Sequence, residues 1–267
     1  MKYNATNYIE ILKVLNLATY WESRLKFKRG KKSEQSLRML DELGETVSGT
    51  VLSHKLYSEN KSVRKHAKSI FMNLSSLDSF KFLANDFDRD LNAFDKIRIH
   101  KALVSKAKQK PLPLLMRWVN IASNERFKAY LIREIAFFKQ KDCALQLIEL
   151  YQETKSTLVK SSIVYTLGEL EYIEAIPILI TDFDYVSLAK QHKIIDTLSK
   201  LGGPQTLLFL EELYVKTSNK ERLVQLLQYI YKLDTTGCTY LRIKAIAKTE
   251  FELKAVAYVE QSKKQMD

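Results

Sequence analysis

The sequence has 267 residues, of which 46% are apolar and 28% charged, a balance that can bury a sizeable core and argues against intrinsic disorder. Lysine and arginine outnumber aspartate and glutamate by 43 to 31, which gives a formal net charge of +12. Seven glycines and four prolines are too few for the many turns of a β-sandwich or barrel, so we expect a mainly helical protein.

Cysteine usage and hydropathy indicate the compartment. Cys143 and Cys238 are far apart and belong to no metal or redox motif, which is typical of a reducing environment. The N-terminus lacks the order of a signal peptide, and no run approaches the roughly 18 apolar residues of a membrane span. We therefore expect a cytoplasmic protein, which could be membrane-associated if a native segment precedes Met1.

The first predicted element is an N-terminal capping unit over residues 1–31. Residues 6–25 have a broad apolar face from Tyr8 to Trp21 and predict a helix. A basic segment follows, with six cations within nine residues: Arg24, Lys26, Lys28, Arg29, Lys31 and Lys32. Because clustered cations attract anionic groups, this basic segment is a candidate binding site.

Residues 32–249 predict about seven repeats, each a helix, a tight turn and a second helix, because three apolar columns recur every 31 to 33 residues. The first column is Leu40, Phe71, Val104, Ile135, Leu167, Leu198 and Ile230. The second is Leu43, Leu74, Ala107, Phe138, Leu170, Leu201 and Leu233. The third, in the second helices, is Leu52, Leu83, Leu115, Leu147, Leu179, Leu210 and Leu241. We expect all three to be buried, since a helix pair cannot bury its apolar face alone.

The predicted helix ends carry matching signals. N-cap residues stand eleven positions before the first column in five repeats: Asn60, Asn124, Ser156, Ser187 and Asn219. Glycines that could end first helices are Gly44 and Gly202, and the prolines at or near the start of second helices are Pro111, Pro113, Pro177 and Pro204. Residues 250–267 predict an amphipathic C-terminal capping helix with Phe251, Val256 and Val259 on its apolar face.

This pattern resembles the HEAT repeat family, including the bacterial PBS-lyase-type HEAT-like proteins. The matching residues are Val63-Arg64, Ala67 and Ile70-Phe71 in one repeat, and Val159-Lys160, Thr166 to Leu170 and Ala175 to Leu179 in another. The resemblance covers residues 32–249. It implies an all-α, right-handed α-α superhelix of the HEAT or armadillo type, forming a single solenoid domain over residues 1–267. It implies no particular activity, because such solenoids serve unrelated roles.

The second helices of HEAT solenoids line the concave face, so their charge matters. The first six predicted here are residues 47–58, 77–88, 111–123, 141–154, 172–184 and 204–216, which carry five cations and eleven anions. We therefore predict an acid-leaning concave face. Its candidate binding residues are Glu149, Glu153, Asp182, Asp184, Glu211 and Glu212.

This distribution favours a protein partner with basic segments, or a basic edge lying against acidic lipid headgroups. A nucleic acid is the alternative partner, but it would require cations where it is cradled, since phosphate neutralisation supplies much of the affinity. The expected function is a non-catalytic protein–protein interaction scaffold or adaptor, which could act close to a membrane surface.

No pattern predicts a catalytic site, a metal, a cofactor or a small-molecule substrate. The stretch from Asp86 to Asp95 resembles a calcium loop, but Leu91 and Ile97 stand where glycine and a carboxylate are needed. The repeat column Arg64, Lys128 and Lys160 is expected to make contacts between repeats, and the four histidines to lie on the surface or in grooves. HEAT-like alkylpurine DNA glycosylases and the pigment-lyase proteins use catalytic side chains that we cannot match to residues of this chain.

Overall fold

The computed structural model describes residues 11, 14–27, 30–43, 49–74 and 78–264. Every regular element within these residues is helical and none is a strand, which confirms the all-α class. The α-helices are α1 Leu17–Phe27, α2 Lys31–Leu43, α3 Gly49–Leu56, α4 Lys61–Leu74, α5 Ala93–Ala107, α6 Met116–Ile121, α7 Glu125–Phe137, α8 Ala144–Glu153, α9 Thr157–Glu169, α10 Ile176–Asp182, α11 Leu188–Leu201, α12 Pro204–Lys216, α13 Lys220–Leu233, α14 Cys238–Ile246 and α15 Glu250–Lys264. The right-handed superhelix stays a prediction.

The chain divides into two compact units, Met1–Glu134 and Ile135–Asp267, called unit 1 and unit 2. In unit 1, α4 packs against α2, α3 and α5. In unit 2, α9 packs against α8 and α11, and α13 packs against α12 and α15. Helices of neighbouring repeats therefore pack together within each unit. The single domain over residues 1–267 stays a prediction.

The seven first helices follow the predicted spacing. They are α2, α4, α5, α7, α9, α11 and α13, each of 13 to 15 residues. Five members of the first column are buried, and Phe71 and Val104 are half-buried. In the second column only Leu170 is buried and Ala107 is exposed, so the predicted burial is confirmed only in part. The half-buried members are Leu43, Leu74, Phe138, Leu201 and Leu233.

The N-cap predictions are confirmed by hydrogen bonds in four of five repeats. The side chains of Asn60, Asn124, Ser156 and Asn219 accept backbone amides of the first helical turn. Ser187 is an N-cap residue, but its side chain makes no capping bond. The repeat that shows no cap signal at Ala93 has its cap one residue earlier. There Asn92 and Asp95 form a capping box, with both bonds 3.0 Å long.

The second helices of unit 1 are shorter than predicted. Instead of an α-helix over 77–88 there is a 3₁₀ turn, Lys81–Asn85, followed by positive φ angles of 54° at Asp86 and 58° at Phe87. These left-handed residues cannot continue a helix. The helix predicted over 111–123 shrinks to α6, since Pro111 and Pro113 lie in a non-helical stretch before it. Pro177 and Pro204 do lie in the first turns of α10 and α12.

The third column is buried in six of its seven members, but Leu241 is 62% exposed and its predicted burial is wrong. The turn from α13 to α14 is two residues longer than the turn from α11 to α12. In it, the Asp234 carboxylate accepts the amides of Gly237 (2.9 Å) and Tyr240 (2.8 Å). The register consequently moves by two residues, and Ile243, 1% exposed, occupies the core position.

The predicted end elements are confirmed in part. The predicted N-terminal helix over 6–25 overlaps α1, but residues 1–10 lie outside the described residues, and Gly44 does too. Helix α15 buries Val256 and Val259 and half-buries Phe251 as predicted. Its outer side is not wholly polar, because Leu253 and Tyr258 are exposed.

The corrected register gives a matched pair of substitutions. Leu210→Ala should lower the free energy of unfolding by about 2–5 kcal/mol, because Leu210 is fully buried and its truncation leaves a cavity. Leu241→Ala should change it by no more than about 0.5 kcal/mol. Urea unfolding followed by circular dichroism measures both, and equal losses would contradict the shifted register.

Candidate functional site

The basic segment lies at the junction of α1 and α2. Arg24 donates a hydrogen bond to the Tyr20 hydroxyl (2.7 Å), and its guanidinium lies 5.6 Å from the ring centroids of Tyr20 and Trp21. Lys26, Lys31 and Lys32 are exposed. The other two predicted members, Lys28 and Arg29, lie outside the described residues.

The whole net charge of the chain belongs to unit 1. Residues 1–134 contain 26 Lys and Arg against 14 Asp and Glu, a balance of +12, whereas residues 135–267 contain 17 of each. The net field of unit 1 is therefore positive, whereas unit 2 carries no net charge.

An acid-containing loop binds the cations of α4 in unit 1. Arg64 donates to both carboxylate oxygens of Asp88, at 2.8 and 3.1 Å, and Lys68 donates to the same carboxylate at 3.1 Å. Burial alone would raise the pKa of Asp88, but these hydrogen bonds outweigh it and hold the pKa well below its usual range. The same bonds fix the loop to α4.

Asp86 and Asp95 fix the two ends of that loop. The Lys65 ammonium lies 2.6 Å from the Asp95 carboxylate, and both side chains are almost fully buried. The Asp86 carboxylate accepts the amides of Ser123 (3.0 Å) and Asn124 (3.1 Å) just before α7. The stretch from Asp86 to Asp95 thus ties α4, α5 and α7 together.

Two open grooves flank this loop, each with a volume of about 660 Å³. Groove 1 is lined by Lys61, Ser62, Lys65, Arg89, Asp90, Leu91, Asn92, Phe94, Arg98, Asn124 and Arg126. Groove 2 is lined by Tyr57, Arg64, Lys68, Lys81, Phe82, Asn85, Asp88 and Arg89. Cations outnumber acids by five to one in groove 1 and by four to one in groove 2. Both grooves are therefore strongly basic.

Unit 2 presents a different surface, built on its second helices. One repeat position, at or just before the start of each second helix of unit 2, holds a small buried residue: Cys143, Ala175, Thr206 and Thr239. The residues two positions later are apolar and exposed in all four repeats; this apolar column is Leu145, Pro177, Leu208 and Leu241. Leu145, Leu208 and Leu241 are 60%, 57% and 62% exposed.

Neighbouring second helices of unit 2 are joined directly. The Tyr151 hydroxyl of α8 donates to Asp182 of α10 (2.5 Å), and Arg242 of α14 donates to Glu211 of α12 (2.8 Å). Helix α10 also packs against α12. A groove of about 390 Å³ beside the apolar column is lined by Tyr151, Gln152, Lys160, Pro177, Ile178, Thr181 and Asp182.

The six predicted acidic residues all belong to this part of unit 2. Asp182 and Glu211 are half-buried and hydrogen-bonded, as described above. The remaining four are exposed; this acidic flank is Glu149, Glu153, Asp184 and Glu212. Glu149 and Glu212 stand four residues after Leu145 and Leu208, so they share a helix side with the apolar column. That these helices form a concave face stays a prediction.

The predicted contact between repeats is confirmed for one member of the cation column: the Lys160 ammonium lies 4.6 Å from the ring centroid of Tyr151 in the preceding repeat. Arg64 binds Asp88, and Lys160 lies 3.6 Å from Asp182, but each of these acids belongs to the same repeat as its cation. Across α11 and α13, Asp196 accepts hydrogen bonds from Tyr229 and Gln225. Such bonds stabilise the stacking of neighbouring repeats. They are structural contacts and not groups placed for a chemical reaction.

Sequence reasoning missed the apolar column and singled out neither Arg89 nor Arg126. The apolar column shows the same repeat spacing as the core columns, so aligning every repeat position could have found it. The grooves depend on the folding of the 86–92 loop, for which the sequence has no comparable signal.

No protein-family model matches the chain, and no curated protein is significantly similar to it. No described helix is both long and apolar enough to cross a membrane. In the same part of the chain, no three His, Cys, Asp or Glu side chains are grouped so that they could hold a metal ion.

His66, on α4, gives unit 1 a pH dependence. Burial, followed by the charge of Arg98, lowers the pKa of His66 from 6.5 to about 4, against weaker opposing effects of Asp41 and Glu34. Between pH 6.5 and 4 the unfolded chain binds a proton at His66 that the folded chain does not, so stability falls as pH falls.

His66→Gln should therefore reduce the difference between the urea midpoints measured at pH 7 and pH 5. His54→Gln, at an exposed histidine with no such burial, is the matched control. An unchanged pH dependence in His66→Gln would contradict the neutral, buried state of His66.

Proposed function

We propose that this chain is a non-catalytic scaffold of the HEAT repeat type, which acts in the cytoplasm and binds a protein partner on the second helices of unit 2. The apolar column carries the proposal. Soluble monomers seldom leave contiguous apolar patches in water without a binding role. Here one position, outside the core, is apolar in four consecutive repeats.

The chemistry of the surface defines the partner. The apolar column favours apolar side chains, and the acidic flank favours lysine or arginine between them. Helices in contact lie about 8–10 Å apart, and a polyproline II chain advances about 3.1 Å per residue with three residues per turn. An extended segment with an apolar residue at every third position and basic residues between would meet successive repeats in register.

The groove beside Pro177 supports the same partner. A protein interface gains most of its affinity from a few side chains that fill desolvated pockets. The groove of about 390 Å³ is within the range of specific ligand pockets and has Pro177 and Ile178 on its wall. We expect one large apolar side chain of the partner to occupy it.

Synthetic peptides test this proposal. A peptide with leucine at every third position and lysine between should bind, and a scrambled peptide of equal composition should bind more weakly. Leu208→Ser should weaken binding by about 10-fold or more, since covering a leucine contributes about 1.5–3 kcal/mol. Fluorescence anisotropy of the labelled peptide gives both affinities.

The matched control is Leu188→Ser, an equally exposed leucine on α11 outside the apolar column. Glu149→Lys and Glu212→Lys together should weaken binding, whereas Glu221→Lys on α13 should not. Equal losses in Leu208→Ser and Leu188→Ser, or equal affinity for the scrambled peptide, would refute the apolar column as the site.

A second candidate partner, an anionic membrane surface, is favoured by one observation at the basic segment. Phe27 is 75% exposed beside the exposed Lys26, Lys31 and Lys32. Lysines next to an exposed aromatic ring are typical of surfaces that lie on anionic membranes. Sedimentation with phosphatidylserine vesicles should be lost in Lys31→Glu/Lys32→Glu and retained in Lys108→Glu/Lys110→Glu. Equal sedimentation of the two double variants would exclude the basic segment as the contact.

A further inference from the structure

We propose that grooves 1 and 2 of unit 1 form one binding site for single-stranded nucleic acid, separate from the protein-binding surface of unit 2. The two grooves share Arg89 on the loop between them, so both adjoin the same cation. Together they are lined by eight cations and two acids.

Not all of these cations form ion pairs with acidic residues of the protein. Five of the eight form ion pairs with Asp88, Asp90 or Asp95: Lys61, Arg64, Lys65, Lys68 and Arg98. The guanidinium groups of Arg89 and Arg126, by contrast, form no hydrogen bond or ion pair with any described residue, and both side chains are exposed. Lys81 lies over the rings of Phe71 and Phe82, at 4.8 and 5.1 Å, and has no acid partner among those residues. Three cationic side chains, Arg89, Arg126 and Lys81, are therefore available to bind phosphate oxygens.

Each groove also has an exposed aromatic ring. Phe94 lines groove 1 and Tyr57 lines groove 2, and each is 72% exposed. Rings next to cations that can bind a sugar–phosphate chain form the usual platform for unpaired bases, because every base can stack on an aromatic face. Paired bases cannot reach such rings, so the aromatics favour a single strand over a duplex.

The shape of the site favours a linear polyanion over a membrane. A lipid surface contacts exposed, convex basic patches, whereas these cations line concave grooves of about 660 Å³ each. That volume lies within the range of about 300–1,000 Å³ found for sites that enclose organic ligands. One or more nucleotides can enter each groove, with a phosphate at Arg89 between them.

The experiment measures binding of a labelled single-stranded oligothymidylate to the full chain by fluorescence anisotropy, between about 50 and 200 mM salt. Arg89→Glu/Arg126→Glu should weaken binding by about 50-fold or more at 50 mM salt and reduce the salt slope by about 1.4, as expected for two lost phosphate contacts. Both residues lack internal ion pairs, so the folded state should be retained, which circular dichroism checks.

The matched control for charge is Lys108→Glu/Lys110→Glu. It changes the net charge equally, at exposed lysines of unit 1 that line neither groove. It should keep most of the affinity. Equal losses in the two double variants would show diffuse electrostatic attraction and overturn the site.

The matched control for stacking is Ile97→Ala, at another exposed apolar residue of α5 that lines neither groove. Phe94→Ala should weaken binding by about 5- to 150-fold, the usual loss for one stacked base, and Ile97→Ala should not.

Duplex DNA that binds as tightly as the single strand would overturn the proposal. So would phosphatidylserine vesicles that bind through Arg89 and Arg126 while the oligothymidylate does not. The Leu208→Ser variant should leave oligothymidylate binding unchanged, which separates this site from the apolar column.

Discussion

The register of the repeats is the constraint on which the rest of this structure depends. A single helix pair has an apolar side that it cannot cover, so each repeat must align its core residues with those of its neighbours. Ile135, Leu167, Leu198 and Ile230 meet this requirement, and hydrogen bonds such as those of Asp196 with Tyr229 and Gln225 join residues one repeat apart. Once the core position is fixed, every other position of a repeat has a defined exposure, which makes a surface column such as Leu145, Pro177, Leu208 and Leu241 physically meaningful.

Unit 1 differs from unit 2 in its electrostatics. Burying a cation is unfavourable unless it is paired, and the loop from Asp86 to Asp95 supplies the acids that pair with Lys65 and Lys68. Pairing holds α4 and α5 together but removes only part of the positive charge. Part of the surplus is on Arg89 and Arg126, which line the grooves beside that loop. One loop thus accounts for both the stability of this region and its attraction for anions.

The sequence predicted the elements that follow from local chemistry and periodicity. Seven first helices, four of the five predicted N-cap hydrogen bonds and six of seven leucines of the third column agree with prediction. Sequence reasoning failed where tertiary contacts override the local pattern. Residues 81–85 form only a 3₁₀ turn, because Asp86 adopts a left-handed conformation and binds the amides of Ser123 and Asn124. The contact of Asp86 with Ser123 joins residues 37 positions apart, and the periodicity of the sequence carries no information about it. Neither the 3₁₀ turn nor the grooves beside it could therefore be predicted.

The wrong burial prediction for Leu241 and the failure to predict the apolar column have the same cause. Its spacing of 31 residues from Leu210 fits the core column, but the longer turn held by Asp234 moves the core position to Ile243. The same two-residue shift places Leu241 in register with Leu208. Leu208 stands two positions after Thr206, and Leu241 stands two positions after Thr239. Leu241 is therefore the fourth member of the apolar column rather than a core leucine that lost its contacts. An exposed leucine at that position is less well hydrated than a polar residue would be, and in our proposal a protein partner covers it.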